Sequence, residues 1–212
     1  LHRVDRRQRQ MCIRDRVGHA TTGTLNDSYN NVGVGISALD ALTTGDSNTS
    51  IGYLSGTTLT EGSGNTVIGK SAGYTLSTGI QNTFVGADAG KVVTGDNNIC
   101  IGNESGEALS TGDGNVLIGQ GIEAASNTGD QQLKIAGNND SSTVNWIIGD
   151  SSGNLTMPAE IAAVSLDISG AIDIDGTSNL DAVDIDGAVQ IDGTVTVGVD
   201  DTGLDVKLFG AS

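Results

Sequence analysis

The chain has 212 residues, of which 32 are Gly and 26 are Asp or Glu, with one Trp, three Tyr and two Phe. So few large side chains are a poor composition for a compact globular core. The formal net charge is −16, and no apolar run approaches the ~20 residues of a membrane span. We therefore predict neither insertion into a membrane nor binding to nucleic acid.

The first 16 residues, LHRVDRRQRQMCIRDR, differ from the rest in charge. All the Arg residues lie there, at Arg3, Arg6, Arg7, Arg9, Arg14 and Arg16. Residues 17–212 keep four basic and 24 acidic residues, a formal charge of −20. The segment lacks the apolar run of a signal peptide and resembles translated sequencing-adaptor read-through. We expect residues 1–16 to be an artefactual, disordered leader; the alternative is a basic arm that binds nucleic acid or a partner.

Excluding this leader also removes Cys12 and leaves Cys100 as the only thiol. We therefore expect neither an internal disulfide nor a cysteine metal cluster. We also expect no cofactor.

A repeat of 17 residues dominates residues 17–119. Asn recurs at steps of 17, 17, 17, 16 and 17 residues, and three positions after each Asn comes Val or Ile followed by Gly. The Asn positions are Asn31, Asn48, Asn65, Asn82, Asn98 and Asn115. The consensus NTxIGxxSGxxLxTGxx is typical of a solenoid whose coils bury their faces only against neighbours. We predict an all-β solenoid, or β-roll, of about six 17-residue coils.

Each coil is expected to hold two short strands, one in NTxIG and one around the Leu, with Gly at the corners. The Leu position is held by Leu42, Leu59, Leu76, Val92 and Leu109. The stacked Asn side chains are expected to form a ladder of amide hydrogen bonds. The 16-residue repeat is expected to lose its residue between Gly90 and Val92, because a corner tolerates a deletion that would shift a strand's register.

The residue between the Thr and the Ile of the consensus becomes more apolar along the chain. It is Gly33, Ser50, Val67, Phe84, Cys100 and Leu117 in successive repeats. By strand alternation it faces away from the invariant Val or Ile, and we interpret it as a face that needs a partner. The prediction is a homo-oligomer, with three-fold symmetry by analogy with fibres; a self-contained monomeric solenoid is the alternative.

Residues 120–158 are predicted to form a transition or neck, because the period fails after Gly119. The segment QQLKIAGNNDSSTVNWIIGDSSGNL has the pattern of a hairpin and holds the only Trp, Trp146, which we expect to pack rather than to contact a ligand. Pro158 begins PAEIAAVSLD, which is compatible with a short helix that has Pro at its first position.

Residues 159–212 are predicted to form an Asp/Gly-rich β shaft. Residues 168–184 and 185–201 share eight of 17 positions, and segments such as AIDID alternate Ile with Asp as a half-buried strand does. We expect the Asp residues to form a solvated face, with Ca²⁺ binding by stacked Asp rows as the alternative. The chain stops at Ser212 inside this pattern, so we expect the shaft to be truncated there.

Two short motifs match catalytic signatures. Residues 64–71, GNTVIGKS, satisfy the P-loop pattern, and residues 69–73, GKSAG, satisfy the GxSxG elbow of serine hydrolases. The repeat argues against both, because no helix pattern follows and because other coils replace the candidate nucleophile Ser71. The replacements are Leu54, Asp88 and Glu104. Outside the leader, His19 is the only candidate base.

Two further hypotheses rest on rows of side chains. Thr49, Thr66 and Thr83 form an outward row of the kind found in ice-binding solenoids, but the row ends at Ile99 and Val116. Acidic pairs for glycoside cleavage are available, and nothing singles out one pair. We therefore assign no catalytic, cofactor-binding or metal-binding residue and predict that the protein is not an enzyme.

The NTxIGxxAG units of residues 31–119 resemble the β-roll regions of phage tail-fibre proteins and the heads of trimeric autotransporter adhesins. QQLKIAG followed by WIIGD resembles the segment after such repeats in tail fibres, and VTVGVDDTGLDVKLFGAS is similar to stretches of structural proteins of marine phages. The resemblance implies a trimeric, non-catalytic fibre component of the virion tail that contacts a glycan or protein receptor on a bacterial surface. The alternatives are a trimeric adhesin of a bacterial cell surface and a tailspike-like enzyme that degrades glycan.

Overall fold

The computed structural model of the protein describes residues 14–17, 28–139 and 141–158. All of them belong to the first of two compact units of the chain, Leu1–Ala162. The predicted β shaft of residues 159–212 and the short helix after Pro158 lie outside the described residues. Within the described ranges, every regular element is a β-strand and no helix occurs.

Ten strands of the described part of the chain form one sheet whose spatial order follows the sequence. They are β1 (Arg14–Val17), β2 (Asn31–Val34), β3 (Thr49–Ile51), β4 (Thr66–Ile68), β5 (Thr83–Val85), β6 (Ile99–Ile101), β7 (Val116–Ile118), β8 (Leu133–Asn138), β9 (Thr143–Gly149) and β10 (Leu155–Thr156). Strands β1 to β8 pair in parallel, each one repeat after the last. Strands β8, β9 and β10 pair antiparallel. The predicted β-solenoid of about six stacked 17-residue coils is confirmed.

Each coil contains one strand rather than the expected two. The segment around the Leu forms turns instead, since residues with positive φ interrupt it; Leu54 has φ 56° and Gly56 has φ 53°. The Leu59 N–H donates to the Gly56 carbonyl at 3.1 Å and closes a tight turn. The Thr60 N–H then donates to the Ser77 carbonyl of the next coil at 2.9 Å. The second wall of the solenoid is therefore a stack of turns, because left-handed residues cannot continue an extended strand.

The side chains between the Thr and the Ile fill the interior of the coils. Those fully buried are Ser50, Val67, Phe84, Cys100 and Leu117. The prediction that this position forms a face for a partner is therefore wrong: the Val or Ile lies outside, and Ile51 and Ile101 are each 38% exposed. The cause is the wall of turns, whose Leu side chains point at this position. Leu59 and Leu76 are fully buried and pack in one core with Val67 and Phe84.

The short coil loses its residue after Val93. Val93 is fully buried in the core with the Leu residues, whereas Val92, the residue expected there, is 37% exposed. The Val93 N–H donates to the Gly90 carbonyl at 3.2 Å, which is the turn bond that closes the other coils. The missing residue therefore lies between Val93 and Gly95 and not between Gly90 and Val92. It still falls in a turn, so no strand register changes.

The Asn side chains form the expected ladder, and all six are buried. The Asn65 backbone N–H and Nδ2 both donate to Oδ1 of Asn48, at 2.9 and 3.0 Å. The Asn65 Nδ2 also donates to the Gly79 carbonyl at 2.9 Å. Its own Oδ1 accepts the N–H of Asn82 at 2.9 Å. Each buried Asn amide has partners in adjacent coils, and no ladder Asn has a buried side-chain N or O atom without a hydrogen bond.

The solenoid continues one coil beyond Gly119, where the sequence pattern predicts that it ends. Strand β8 pairs with β7 at the same offset, with Leu133 opposite Val116. Gln132 takes the Asn position, and its N–H and Nε2 donate to Oδ1 of Asn115 at 2.9 and 3.1 Å. A Gln side chain makes the bonds of an Asn here, so a search for Asn alone misses this coil.

The sheet also begins earlier than expected. Strand β1 pairs in parallel with β2, with Arg14 opposite Asn31, one repeat upstream. The last three residues of segment 1–16 therefore lie in the sheet. The sequence pattern instead predicts that the folded part of the chain begins at residue 17. A parallel edge such as that of β2 can pair with a preceding segment through backbone hydrogen bonds alone. The origin of residues 1–16 stays a prediction.

Candidate functional site

One candidate contact surface is formed by the outward side chains of β2 to β7, which we call the outer β face. Its first row is Val32, Thr49, Thr66, Thr83, Ile99 and Val116, and its second row is Val34, Ile51, Ile68, Val85, Ile101 and Ile118. All of these side chains are uncharged, and all are exposed or half-buried. Uncharged, β-branched side chains in straight rows make a surface suited to packing against another flat surface.

The predicted Thr row lies in the first row of this face. Thr49, Thr66 and Thr83 stand directly opposite one another on adjacent strands, and Ile99 follows them in register. Three hydroxyl groups therefore occupy the middle of an otherwise aliphatic row. Ice binding by this row stays a prediction.

The second candidate surface lies on the hairpin formed by β8 and β9, which is present in the segment where a hairpin is expected. Ile135 pairs with Ile147 and Ala136 pairs with Asn145, which leaves Trp146 as an extra residue in a β-bulge. Bulges of this kind commonly re-aim a side chain. Here Trp146 is 57% exposed and its neighbour Val144 is 55% exposed. The Trp146 side chain therefore lies outside the core, and the expectation that it packs rather than contacts a ligand stays a prediction.

The exposed indole lines an open groove of about 320 Å³, which we call the hairpin groove. Its lining residues are Gly137, Asn138, Asn139, Ser142, Val144 and Trp146. A Cβ on Gly137 would lie 2.8 Å from Cζ2 of Trp146, so the indole rests directly on the backbone of β8. Glycine is thus the residue that lets the ring lie against this strand.

Polar side chains at the hairpin tip form the other side of this groove. The Asn139 Oδ1 accepts the backbone N–H groups of Ser141 and Ser142 at 3.2 and 3.0 Å and the Ser142 hydroxyl at 3.4 Å. These bonds hold the tip of the hairpin in one conformation. The sequence signal for this site is the only Trp of an aromatic-poor chain next to the polar run NNDSS, and it was not enough to predict exposure.

The segment that matches the P-loop is an ordinary coil. Residues 64–71 contain β4 and the corners that flank it. The N–H groups of Gly64, Gly69 and Ser71 donate to carbonyl oxygens of the preceding coil at 2.8 to 2.9 Å. A P-loop instead directs its backbone N–H groups at phosphate, and here these donors are already used inside the solenoid.

The GxSxG match also falls in a repeated corner. Ser71 is 7% exposed, and it has φ 52°, as the residues at the same place in other coils do. Leu54, Asp88 and Glu104 have φ between 54° and 56°. The left-handed conformation is therefore a property of every coil and not of a nucleophile. His19, the candidate base, lies outside the described residues.

The buried thiol Cys100 sits inside the solenoid. Burial raises the pKa of this thiol to about 12, so it remains neutral at physiological pH. Nucleophilic catalysis by cysteine needs the thiolate, which this environment disfavours. Cys100 therefore acts as a core side chain.

Charged groups at the corners form links between coils. The Lys91 Nζ lies 2.9 Å from Oε1 of Glu107 in the next coil and 3.1 Å from Oδ1 of Asp88. Hydrogen bonds to Glu107 and then to Asp88 raise the pKa of Lys91. Burial raises the pKa of Glu123, although both its oxygens accept the Ala108 N–H at 3.1 to 3.2 Å. These contacts join successive coils across the corners.

In residues 28–139 and 141–158, no group of three or more His, Cys, Asp or Glu side chains is placed to hold a metal ion. The Asp-rich segment proposed as an alternative Ca²⁺ site lies outside the described residues. Among the residues that the structure describes, no helix is long and apolar enough to cross a membrane.

Comparison with known proteins adds no relative. No protein-family model matches the chain, no curated protein is significantly similar to it, and no solved structure matches it.

Proposed function

We propose that the protein is a non-catalytic structural and adhesive component of a phage tail fibre that contacts a bacterial surface. The observation that carries the proposal is the unbroken stack of coils, joined by the buried ladder from Asn31 to Gln132. The same internal contacts recur in coil after coil, while the residues at the corners vary. Such a stack suits a scaffold that displays a contact surface at a fixed distance. The phage assignment is supported by the resemblance of the NTxIGxxAG units.

The proposed assembly is a homotrimer in which the outer β face meets two further copies of the chain. The side chains between the Thr and the Ile fill the interior of the coils and offer no face to a partner, whereas the outer β face is an exposed apolar surface that a partner can cover. Its six strands are about 4.8 Å apart and its two rows about 7 Å apart, which makes a narrow strip. A stable interface buries about 800 Å² on each partner, so the turns beside the strip must also take part.

The oligomeric state tests this assembly directly. Light scattering on the full chain is expected to give the mass of three chains. The paired substitution Ile51→Lys and Ile101→Lys is expected to give one-chain mass with an unchanged β-sheet circular dichroism spectrum, because two charges then lie on the apolar strip. Tyr53→Lys is the matched control, since Tyr53 is 51% exposed in a turn outside the strip. A folded wild-type monomer at micromolar concentration contradicts the trimer.

Two assays test the adhesive, non-catalytic role. The labelled full chain is expected to bind cells of a susceptible bacterium and not cells stripped of surface glycan and protein. Incubation with purified surface polysaccharide is expected to release no reducing ends. Release of reducing ends would instead establish the tailspike-like enzyme, and absence of cell binding would remove the adhesive role.

A further inference from the structure

We infer that the hairpin groove binds a neutral pyranose sugar, stacked on the indole of Trp146 and hydrogen-bonded to the amide and hydroxyl groups at the hairpin tip. The inference rests on the proposed adhesive function and names the receptor chemistry that one surface of the protein would take.

The first observation is the placement of the indole. Trp146 is the extra residue of the bulge, and its six-membered ring lies against the backbone at Gly137. Three atoms of this ring, Cζ2, Cη2 and Cε2, would lie 2.8, 3.3 and 3.6 Å from a Cβ at that position. The ring is thereby supported from below by the strand, while 57% of the side chain stays exposed. A rigid, exposed aromatic surface of this kind costs little entropy when a ligand covers it.

The second observation is the arrangement of polar groups around that surface. Asn138, Asn139 and Ser142 line the same groove as Trp146 and Val144. Their amides and hydroxyl include both donors and acceptors. Binding sites for small ligands combine an apolar surface with a few polar groups that fix orientation, and a volume of about 320 Å³ is at the low end of such sites.

The chemistry of the groove selects the class of ligand. A pyranose has an apolar face of C–H groups that matches an aromatic ring and a rim of hydroxyl groups that match amides. None of the described residues that line the groove is charged, and residues 17–212 carry a formal charge of −20. Both facts disfavour an acidic sugar or a phosphate and favour a neutral sugar.

The chain offers a site-specific signal, because Trp146 is its only Trp. The full chain is titrated with methyl β-glucopyranoside, methyl β-galactopyranoside and N-acetylglucosamine, and with glucuronate as the acidic comparison. At least one neutral sugar is expected to shift the Trp fluorescence saturably in the millimolar range and to protect it from acrylamide quenching. Glucuronate is expected to do neither.

Variants separate binding at the groove from binding elsewhere. Calorimetry with the sugar that binds is expected to show affinity at least about tenfold weaker in Trp146→Ala, because an aromatic anchor is removed. Gly137→Val displaces the indole and is expected to weaken binding similarly, whereas Trp146→Phe keeps a flat ring and retains part of the affinity. Tyr53→Ala removes an exposed aromatic side chain outside the groove and is expected to bind as the wild type does. Circular dichroism confirms that each variant is folded.

Several results would overturn the inference. One is a Trp fluorescence that no neutral sugar changes; another is full affinity in Trp146→Ala. A Trp emission that shifts with protein concentration alone would show that a second copy covers the groove. If wild-type chains bind bacterial cells and Trp146→Ala binds equally well, the groove inference fails while the adhesive role stands. If wild-type chains bind no cells, the adhesive role fails and the sugar titration decides the groove by itself.

Discussion

The Asn ladder shows how much a single residue type contributes to this fold. Each Asn in the middle of the ladder links three coils, because it bonds to the Asn before it, to the Asn after it and to a Gly carbonyl of the next corner. These bonds are made in the buried corner, where a polar group without a hydrogen bond would destabilise the fold. The ladder therefore fixes the spacing between coils and also stabilises the stack.

Asn65→Ala is expected to lower the free energy of unfolding by about 3 kcal/mol, because the substitution leaves several buried polar groups without a hydrogen-bond partner. The Asn82 backbone N–H and Nδ2 donate to Oδ1 of Asn65 at 2.9 and 3.2 Å and would lose this acceptor. The Gly79 carbonyl would lose its donor, Nδ2 of Asn65. Urea unfolding followed by circular dichroism measures the change. The matched control is Asn103→Ala, an exposed Asn outside the ladder, with an expected change within about 0.5 kcal/mol. Equal losses in the two variants would contradict the role of the ladder.

At the scale of the strand, the Gly that follows each of strands β2 to β7 is required by how closely the coils approach. A Cβ on Gly52 would lie 2.4 Å from the carbonyl oxygen of Gly69, and Gly69 is placed in the same way against Gly86. The backbone of one coil passes directly over that of the next, so no side chain fits between them. This contact explains why the position is Gly in every coil from Gly35 to Gly119.

Gly52→Ala is expected to cost about 3 kcal/mol or more, because a methyl group must push two coils apart at a position with φ 140°. Gly153→Ala is the matched control. Gly153 also has positive φ, 82°, but a Cβ there would meet nothing within 4 Å, so the expected cost is the conformational strain of about 1 to 2 kcal/mol. Thermal unfolding of both variants measures the difference. A Gly52→Ala variant as stable as Gly153→Ala would refute the close approach of the coils.

At the scale of the whole solenoid, each coil contacts only the coils before and after it. The stability of such a stack is close to a sum of repeat terms and nearest-neighbour terms. Whole repeats are then interchangeable units, because the strand register and the ladder are the same at every step.

Deletion of residues 49–65 removes one whole repeat and joins Asn48 to Thr66. We expect the shortened chain to fold with an unchanged β-sheet spectrum and a modestly lower melting temperature, because one coil and one interface are lost. Deletion of residues 49–61 removes an incomplete repeat and is the comparison. That deletion is expected to abolish cooperative unfolding, because the Asn side chains can no longer stack. Similar melting curves for both deletions would show that the repeat length does not matter.

For the hairpin groove, the sequence indicated the hairpin but not the exposure of Trp146. Alternation along a strand assigns side chains to two faces, and a bulge breaks this alternation at one residue. The bulge arises from the pairing of β8 with β9, where Ala136 opposes Asn145. No local property of the segment STVNWIIG fixes that register.

The sequence by itself determined the period, the Asn ladder and the single stacked β-solenoid, because only stacking explains a spacing that keeps Asn and Gly in phase over six repeats. The tertiary structure decided which side of each strand is inside. Alternation places Val67 opposite Ile68, but the wall of turns with Leu59 and Leu76 makes the Val67 side the core. That wall could not be recognised from the sequence, because its residues adopt left-handed conformations that the contacts between coils impose.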